Sequence, residues 1–280
     1  MLTLNELVDR SAFAAPGGDR EMQLIQTAYR LQIAEAIGIS PGDRILEIAC
    51  GQGDTTAVLA NLVGPTGKVT AVDIAEPTYG SPVNLGDAMR IITASELGSR
   101  IDVHWEFDLL DAGVTFPEDA FDLAVLAHGA WYFDQPSQLE ATLRRVGMWT
   151  RRLALAEWDM HPTALDQVAH LLAVQIQGYE SALAPNPQSN VRTAVDRTGM
   201  IALVKRAGWN VDAITPLDTA GLQDAGWEIG NANIAFVDTD WSTMPEGAAA
   251  FIQGQLAVMN EMATGDLGVL PAYVLICSRA

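Results

Sequence analysis

Apolar residues follow helical spacing in some stretches of the chain and form short continuous runs in others. One helical face of residues 21–37 is apolar, which predicts a helix. Short apolar runs of strand length follow at residues 44–48, 68–72, 101–107, 121–127, 151–158, 209–216 and 272–278. Such runs alternating with helical stretches predict an α/β fold, and 280 residues suit one large domain with insertions.

Helical spacing also predicts elements outside this alternation. The further helices are predicted at residues 2–13, 163–183, 192–207 and 248–262. A run of small residues with Pro16 and two glycines at positions 14–18 breaks the first of them. Residues 76–87 are rich in proline and glycine, which predicts a loop long enough to border a ligand site.

A glycine-containing turn follows the first predicted strand. That strand carries Glu47 near its end, and the chain turns through Gly51 and Gly53 before the next helical stretch. This order forms a nucleotide-type ligand site, because the helix start exposes N–H groups and glycines let a ligand approach closely. A carboxylate at Glu47 repels a diphosphate but can receive an ammonium group. The third glycine of the dinucleotide motif is also missing, since Thr56 stands there, so S-adenosylmethionine (SAM) is favoured over NAD.

The segment Glu47-x-Ala49-Cys50-Gly51-x-Gly53 resembles motif I of the class I SAM-dependent methyltransferases. The usual motif has a further glycine where Ala49 stands, which is a mild departure. The resemblance implies a Rossmann-like sheet of seven mostly parallel strands, with helices on both faces and helical lid insertions. It also implies that Glu47, Ala49, Gly51 and Gly53 bind the cofactor.

Two further strand ends carry acidic residues at this family's spacing. Asp73 closes the second strand, where a carboxylate can accept hydrogen bonds from both hydroxyls of a ribose, and Ile74 follows it in the predicted cofactor site. After the third strand, the resemblance implies that Asp108 accepts a hydrogen bond from the adenine amino group and that Leu109 packs on the adenine ring. Asp111 is the alternative acid at this strand end.

The acceptor is predicted to bind at the ends of the fourth and fifth strands, because ligands of open α/β sheets lie at the carboxyl ends of strands. His128 follows the fourth strand, where it is predicted to face both cofactor and acceptor, and it either handles a proton near neutral pH or holds its loop by hydrogen bonds. Trp131 and Tyr132 either line an aromatic substrate pocket or pack on the core. The resemblance lets Tyr29 cover the cofactor's methionine end, and a packed helix face is its alternative role.

A second candidate patch follows the fifth strand. Glu157 and His161 are predicted catalytic residues, and Trp158 and Asp159 are predicted to bind substrate. A carboxylate beside an aromatic face suits an amine or its cationic methylated product, through charge and cation–π attraction. Alternatively, this strand end only covers the edge of the cofactor.

The chain is expected to divide into a cofactor-binding core and added helical segments. The core includes residues 21–162, after an N-terminal lid or arm at residues 1–20. Residues 163–200 are a helical lid insertion in the same domain, since small-molecule methyltransferases commonly insert helices there. Residues 201–280 complete the core and include a second helical insertion at 217–271.

Composition limits the partners. A formal net charge of −19 disfavours nucleic acid, since phosphate binding needs clustered Lys and Arg, and leaves neutral or cationic small molecules as substrates. Cys50 and Cys277 lie far apart in apolar surroundings, which predicts reduced thiols in a cytoplasmic protein. No signal peptide, membrane association or metal site is predicted. The sequence also allows a homodimer, in which the N-terminal segment would contact the partner.

The predicted function is methyl transfer from SAM in small-molecule metabolism, including secondary-metabolite biosynthesis. Such a displacement needs alignment of the nucleophile and exclusion of water, and needs a base only when the nucleophile is a hydroxyl. The acidic composition and the Glu157 patch favour N-methylation of an amine or heterocyclic metabolite. Two alternatives are O-methylation with His128 as general base, and a SAM-binding protein of this fold without methyl transfer.

Overall fold

The computed structural model describes residues 1–11, 19–81, 83–245 and 247–280. Its strands are β1 (Arg44–Ile48), β2 (Lys68–Val72), β3 (Ile101–His104), β4 (Leu123–Ala127), β5 (Arg152–Trp158), β6 (Trp209–Leu217) and β7 (Ala272–Arg279). Within the described residues they form one sheet in the order β3-β2-β1-β4-β5-β7-β6. The first five strands pair in parallel, and β7 runs antiparallel to both β5 and β6. The predicted Rossmann-like sheet of seven mostly parallel strands is confirmed.

Helices cover both faces of this sheet. They are α1 (Leu4–Val8), α2 (Arg20–Ile37), α3 (Asp54–Val63), α4 (Leu85–Thr93), α5 (Pro136–Val146), α6 (Val168–Leu183), α7 (Arg197–Arg206), α8 (Asp224–Asp238) and α9 (Ala248–Met262). Successive strand residues point to opposite faces, so Ile45 packs in the core beneath α2, α3 and α4, and Leu46 packs in the core beneath α5 and α7. Burial on both faces explains the continuous apolar runs of the central strands.

A separate helical cluster lies beyond the ends of β5 and β7. α6, α8 and α9 pack on one another through buried small and apolar side chains, among them Ala173, Ile176, Ala232, Ile252 and Met259. The backbone N–H of Leu270, just before β7, donates to Nδ1 of His170 in α6 at 3.0 Å. The segments predicted as two insertions are thus in contact. The domain limits themselves stay a prediction.

Several predicted boundaries differ from the structure. The helix predicted at residues 192–207 begins only at Arg197, because Asp196 caps it by accepting from the N–H groups of Thr198 and Gly199. The helix predicted from residue 163 begins at Val168, after a 3₁₀ turn at Leu165–Gln167. The third strand ends at His104 rather than at 107, since Glu106 has a positive φ of 52°, which extended strands do not have. The pattern did not predict α8, because its two glycines are poor helix formers.

The N-terminal segment packs on α3. Leu2 and Asn61 exchange two hydrogen bonds, and Leu7 is buried. The helix predicted over residues 2–13 is observed only as Leu4–Val8, while Phe13 and the predicted break at 14–18 lie outside the described residues. Pro82 of the predicted loop lies outside them as well. Across the described ranges, no helix combines the length and apolar character needed to cross a membrane.

Candidate active site

The turn after β1 forms one wall of a cavity. Ala49, Gly51 and Gly53 have positive φ angles of 57°, 53° and 89°. Glycine at position 53 also permits close packing, because a Cβ atom there would lie 2.7 Å from Met89 Cε. A Cβ atom at Gly51, which lines the cavity, would meet nothing within 4 Å. The turn thus leaves room for a ligand beside its backbone.

Asp73 connects this turn to the end of β2. Its Oδ2 accepts from the N–H of Gly51 and its Oδ1 from that of Ala75, both at 2.9 Å. The residue lines the cavity, and each carboxylate oxygen retains a lone pair beyond the one used by the backbone. Asp73 therefore fixes the glycine turn and can still accept hydrogen bonds from vicinal hydroxyls.

The cavity runs along the carboxyl ends of the parallel strands. Its volume is about 680 Å³, within the range of small-molecule sites. The predicted cofactor residues in its lining are Ala49, Gly51, Asp73, Ile74, Asp108 and Leu109. Carboxylate acceptors for a ribose and an amino group, an apolar contact and an open glycine turn fit the adenosyl part of SAM.

Asp108, rather than Asp111, faces this cavity. Asp108 lines it, next to the buried Leu109, and its Oδ1 accepts from the N–H of Leu110 at 2.8 Å. Asp111 is exposed and caps a turn by accepting from the N–H of Gly113 at 2.7 Å. The geometry favours Asp108 as the adenine-side acid, which was the preferred choice of the sequence prediction.

Glu47 lies beneath the turn rather than in the cavity lining. It is 2% exposed, and its Oε2 has no hydrogen-bond partner among the described residues. Burial and, to a lesser extent, the nearby charge of Asp73 raise the pKa of Glu47 to about 8. A buried acceptor without a partner, close to the glycine turn, is consistent with the predicted role of receiving an ammonium group.

Tyr29, His128 and Glu157 form a chain of polar contacts on the acceptor side. The Tyr29 hydroxyl lies 2.9 Å from His128 Nε2, and His128 Nδ1 lies 3.4 Å from Glu157 Oε1. The second contact is an ion-pair distance and not a well-formed hydrogen bond, since Nδ1 has no such partner among the described residues. Burial, followed by the charges of Asp224 and Glu157, raises the pKa of Tyr29. Tyr29 thus keeps its proton and can donate it to Nε2.

The backbone holds this group in place. Glu157 is 1% exposed and accepts from the N–H groups of Ala130 at 3.1 Å and Trp158 at 3.0 Å. His128 has a positive φ of 52°, an uncommon conformation for a residue other than glycine, and its N–H donates to the carbonyl of Ala156. The Trp158 ring lies 4.4 Å from the His128 ring and stacks parallel to Tyr29 at 6.1 Å.

The other predicted acceptor residues have different surroundings. Trp131 is 3% exposed and donates from Nε1 to the carbonyl of Val195, whereas Tyr132 lines the cavity. Asp159 is buried and pairs with Arg197 at 3.2 Å and with His161 at 2.7 Å. The His161 side chain is 65% exposed. The structure thus brings Trp158 and Glu157 to His128 and places Tyr132 in the cavity lining, while Asp159 pairs with His161 and Arg197.

Some cavity residues were not predicted. Tyr79 and Asn190 line it and join two distant segments, since the Tyr79 hydroxyl donates to Asn190 Oδ1 at 3.0 Å. Arg192 also lines it and pairs with Asp134. Tyr79 belongs to the proline- and glycine-rich loop that was expected to border the site. Asn190 and Arg192 gave no local signal, because only the tertiary fold brings them to the cavity.

Comparison with known proteins agrees with this geometry. The sequence model of the ubiE/COQ5 methyltransferase family matches residues 22–148, which contain the glycine turn, Asp73 and Asp108. A solved structure, a cyclopropane-fatty-acyl-phospholipid synthase-like protein from Lactobacillus casei, is 35% identical, with a TM-score of 0.89 over 98% of both chains. The chain belongs to the class I SAM-dependent methyltransferases. The predicted family and its cofactor, SAM, are confirmed.

The curated relatives of this methyltransferase family are matched over only part of their length. Methyltransferase phomM' of Diaporthe leptostromiformis is 28% identical over 60% of this chain and 53% of its own. A 2-phytyl-1,4-naphtoquinone methyltransferase of Synechococcus elongatus is 37% identical over 43% of this chain and 47% of its own. The chain thus spans about half the length of the curated relatives it matches. The family model ends before β5, so it leaves out Glu157 and the helical cluster.

Proposed function

We propose that this protein transfers a methyl group from SAM to a small molecule, preferentially to the nitrogen of an amine or heterocyclic metabolite. The observation that carries the proposal is that the cofactor cavity continues to the acceptor-side residues. The cavity that fits SAM extends to Gly129 and Tyr132, beside His128 and the buried carboxylate of Glu157. When bound, SAM supplies an electrophilic methyl group.

The residues of this chain would position the acceptor and exclude water. A neutral amine is already a nucleophile, so alignment is the main requirement. Glu157 lies beside His128, whose ring packs against that of Trp158. Its carboxylate would stabilise the positive charge that a nitrogen gains on methylation. The formal net charge of −19 favours the approach of a cationic amine over that of an anion.

O-methylation is the second candidate, and the Tyr29–His128–Glu157 chain supports it. A hydroxyl acceptor would pass its proton to the Tyr29 oxygen as Tyr29 passes its own to His128 Nε2, 2.9 Å away. Glu157 would stabilise the resulting imidazolium at 3.4 Å. A protein that binds SAM without methyl transfer is the remaining alternative from the sequence.

Calorimetry followed by an acceptor panel tests these proposals. SAM and its demethylated product should bind, and NAD should not; binding of NAD alone would overturn the proposal. Labelled SAM is then incubated with amines, phenols and a 1,4-naphthoquinone, the last because of the acceptor in the Synechococcus relative's name. Label on amines supports the main proposal, and label on phenols supports the Tyr29–His128 route. Cofactor binding without label on any acceptor supports the non-transferring alternative.

A further inference from the structure

Two carboxylates of α8 face the acceptor side of the site. Asp224 and Glu228 are four residues apart, and therefore lie on the same face of this helix. Gln26 in α2 donates to Asp224 Oδ2 at 2.9 Å, and Gln177 in α6 donates to Glu228 Oε2 at 2.5 Å. Together with Glu157 they form a three-carboxylate group, defined here as Glu157, Asp224 and Glu228.

The charges of this group act on one another and on the acceptor-side tyrosines. Burial raises the pKa of Glu228, and the charges of Asp224 and Glu157 raise it further. Tyr132 is 51% exposed as a whole, and the pKa of its hydroxyl is raised by the surrounding protein and then by the charges of Glu228, Glu157 and Asp224. Gln26 lies one helical turn before Tyr29 on α2, so its hydrogen bond to Asp224 places α8 beside the Tyr29–His128–Glu157 chain.

The group lacks a basic counter-ion. In the part of the chain that the structure describes, no Lys or Arg lies within ion-pair distance of any of its carboxylates. Its protein partners are amides, backbone N–H groups and the His128 imidazole. Glu157 is buried and Asp224 and Glu228 are partly buried, and gathering negative charge in such surroundings costs free energy unless a cation compensates it.

A separate observation indicates that a cation bound by this group would also donate a hydrogen bond. Gln177 is fully buried, and its Oε1 has no partner among the described residues. Its Nε2 donates to Glu228, so the free carbonyl oxygen belongs to an amide that already contacts the three-carboxylate group. An ammonium offers both the charge and the N–H donors that these acceptors need, which a quinone or a neutral phenol does not.

We infer that the three-carboxylate group and Gln177 form a recognition subsite for an ammonium group of the acceptor, with Tyr132 and Trp158 as its aromatic contacts. This inference rests on the proposed function, because it assigns a substrate class to the same site. It concerns binding and adds no chemical step. The subsite combines residues of α6, α8 and β5, so it selects the acceptor with the helical cluster rather than with the cofactor-binding strands.

The test is calorimetric binding of two probes that differ in charge, benzylamine and benzyl alcohol, with the demethylated cofactor present at saturation. Wild type should bind benzylamine at least about tenfold more tightly, since desolvated charge contacts contribute about 1.4 kcal/mol or more. Glu228→Gln keeps the shape of the side chain and should remove most of that preference. Asp238→Asn removes one charge from an exposed position of the same helix and should preserve the preference.

Equal affinity for both probes in wild type, or an unchanged preference in Glu228→Gln, would overturn the inference. Asp224→Asn is the second variant if Glu228→Gln does not fold, as judged by circular dichroism, and it should lower the preference in the same direction. The two proposals fail separately. Loss of cofactor binding would overturn the proposed function alone, since the probes can also be titrated without cofactor.

Discussion

The cofactor side and the acceptor side of the site are built in different ways. On the cofactor side, Gly51, Asp73 and Asp108 each follow a parallel strand, within residues 44–111 of the chain. On the acceptor side, Tyr29 lies on α2, His128 directly follows β4, Glu157 lies on β5 and Glu228 lies on α8. The cofactor side is therefore a local property of successive βα units, whereas the acceptor side exists only in the tertiary fold.

The family sequence model does not extend over the whole site. The ubiE/COQ5 sequence model covers the cofactor side together with Tyr29 and His128, and it ends at residue 148. Glu157 and the helical cluster lie beyond it, where an acceptor-specific structure is expected to differ between relatives. One scaffold can thus keep its methyl donor and change its acceptor, because function resides in the site rather than in the fold.

Replacement of His128 by Asn should affect the acceptor side alone. Asn tolerates the positive φ of this position, so the backbone can stay in place. If His128 takes a proton, methyl transfer to a phenol should fall by roughly 10²–10⁴-fold, whereas transfer to an amine should fall much less. Steady-state rates with both acceptors measure this, and His104→Asn on the edge strand β3 is the control. Equal losses for both acceptors would show that His128 positions the acceptor rather than moving its proton.

Replacement of Glu47 by Gln should change how stability depends on pH. Burial raises the pKa of Glu47 from 4.5 to about 8, so the folded state binds the proton more tightly than the unfolded state. The resulting stability is fully present below the unfolded pKa and is lost as pH rises through the folded pKa. The substituted glutamine does not titrate, so the variant should gain on wild type between about pH 4.5 and 8, by at most about 5 kcal/mol.

Urea unfolding at several pH values measures this gain. Glu35→Gln, at an exposed position of α2, should follow the wild-type curve. SAM affinity of Glu47→Gln should fall, because a neutral amide cannot compensate the charge of an ammonium group. Unchanged affinity would contradict the assigned role of Glu47 in the motif.

Replacement of Asp73 by Ala should weaken the cofactor side without a direct effect on acceptor binding. The change removes two charge-assisted hydrogen bonds to the backbone and the predicted contact with the ribose. Hydrogen bonds to charged groups contribute about 1.5–3 kcal/mol each, so loss of the two predicted ribose hydrogen bonds should lower SAM affinity by roughly 10²–10⁴-fold. Asp111→Ala is the matched control at the exposed turn. A loss of less than about threefold would show that Asp73 is only structural.

The fold and the cofactor side were predictable because their signals are short in range. Asp73 directly follows its strand at the spacing of the family, and Asp108 lines the cavity whereas Asp111 does not. The direction in which a side chain points at a strand end was harder to predict from the sequence. Glu157 and Asp159 are two residues apart, yet one contacts His128 and the other pairs with Arg197, because β5 ends between them and the chain turns. The residues of α8 could not be found, since its glycines hide the helix.

The smallest expected effect is on stability, where the cofactor side meets the acceptor side and β1 and β4 end next to each other. Ala49 keeps a positive φ that favours glycine, and a Cβ atom on Gly129 would lie 2.9 Å from Ala49 Cβ. The glycine usual at position 49 is thus replaced by alanine, and position 129 supplies the space. Gly129→Ala should therefore destabilise wild type more than it destabilises Ala49→Gly, with a coupling of about 1 kcal/mol in a double-mutant cycle. Urea unfolding of the four proteins measures it. Simple additivity would mean that the clash with Leu126 Cδ1, at 3.0 Å, limits position 129 by itself, and that the two strand ends vary independently.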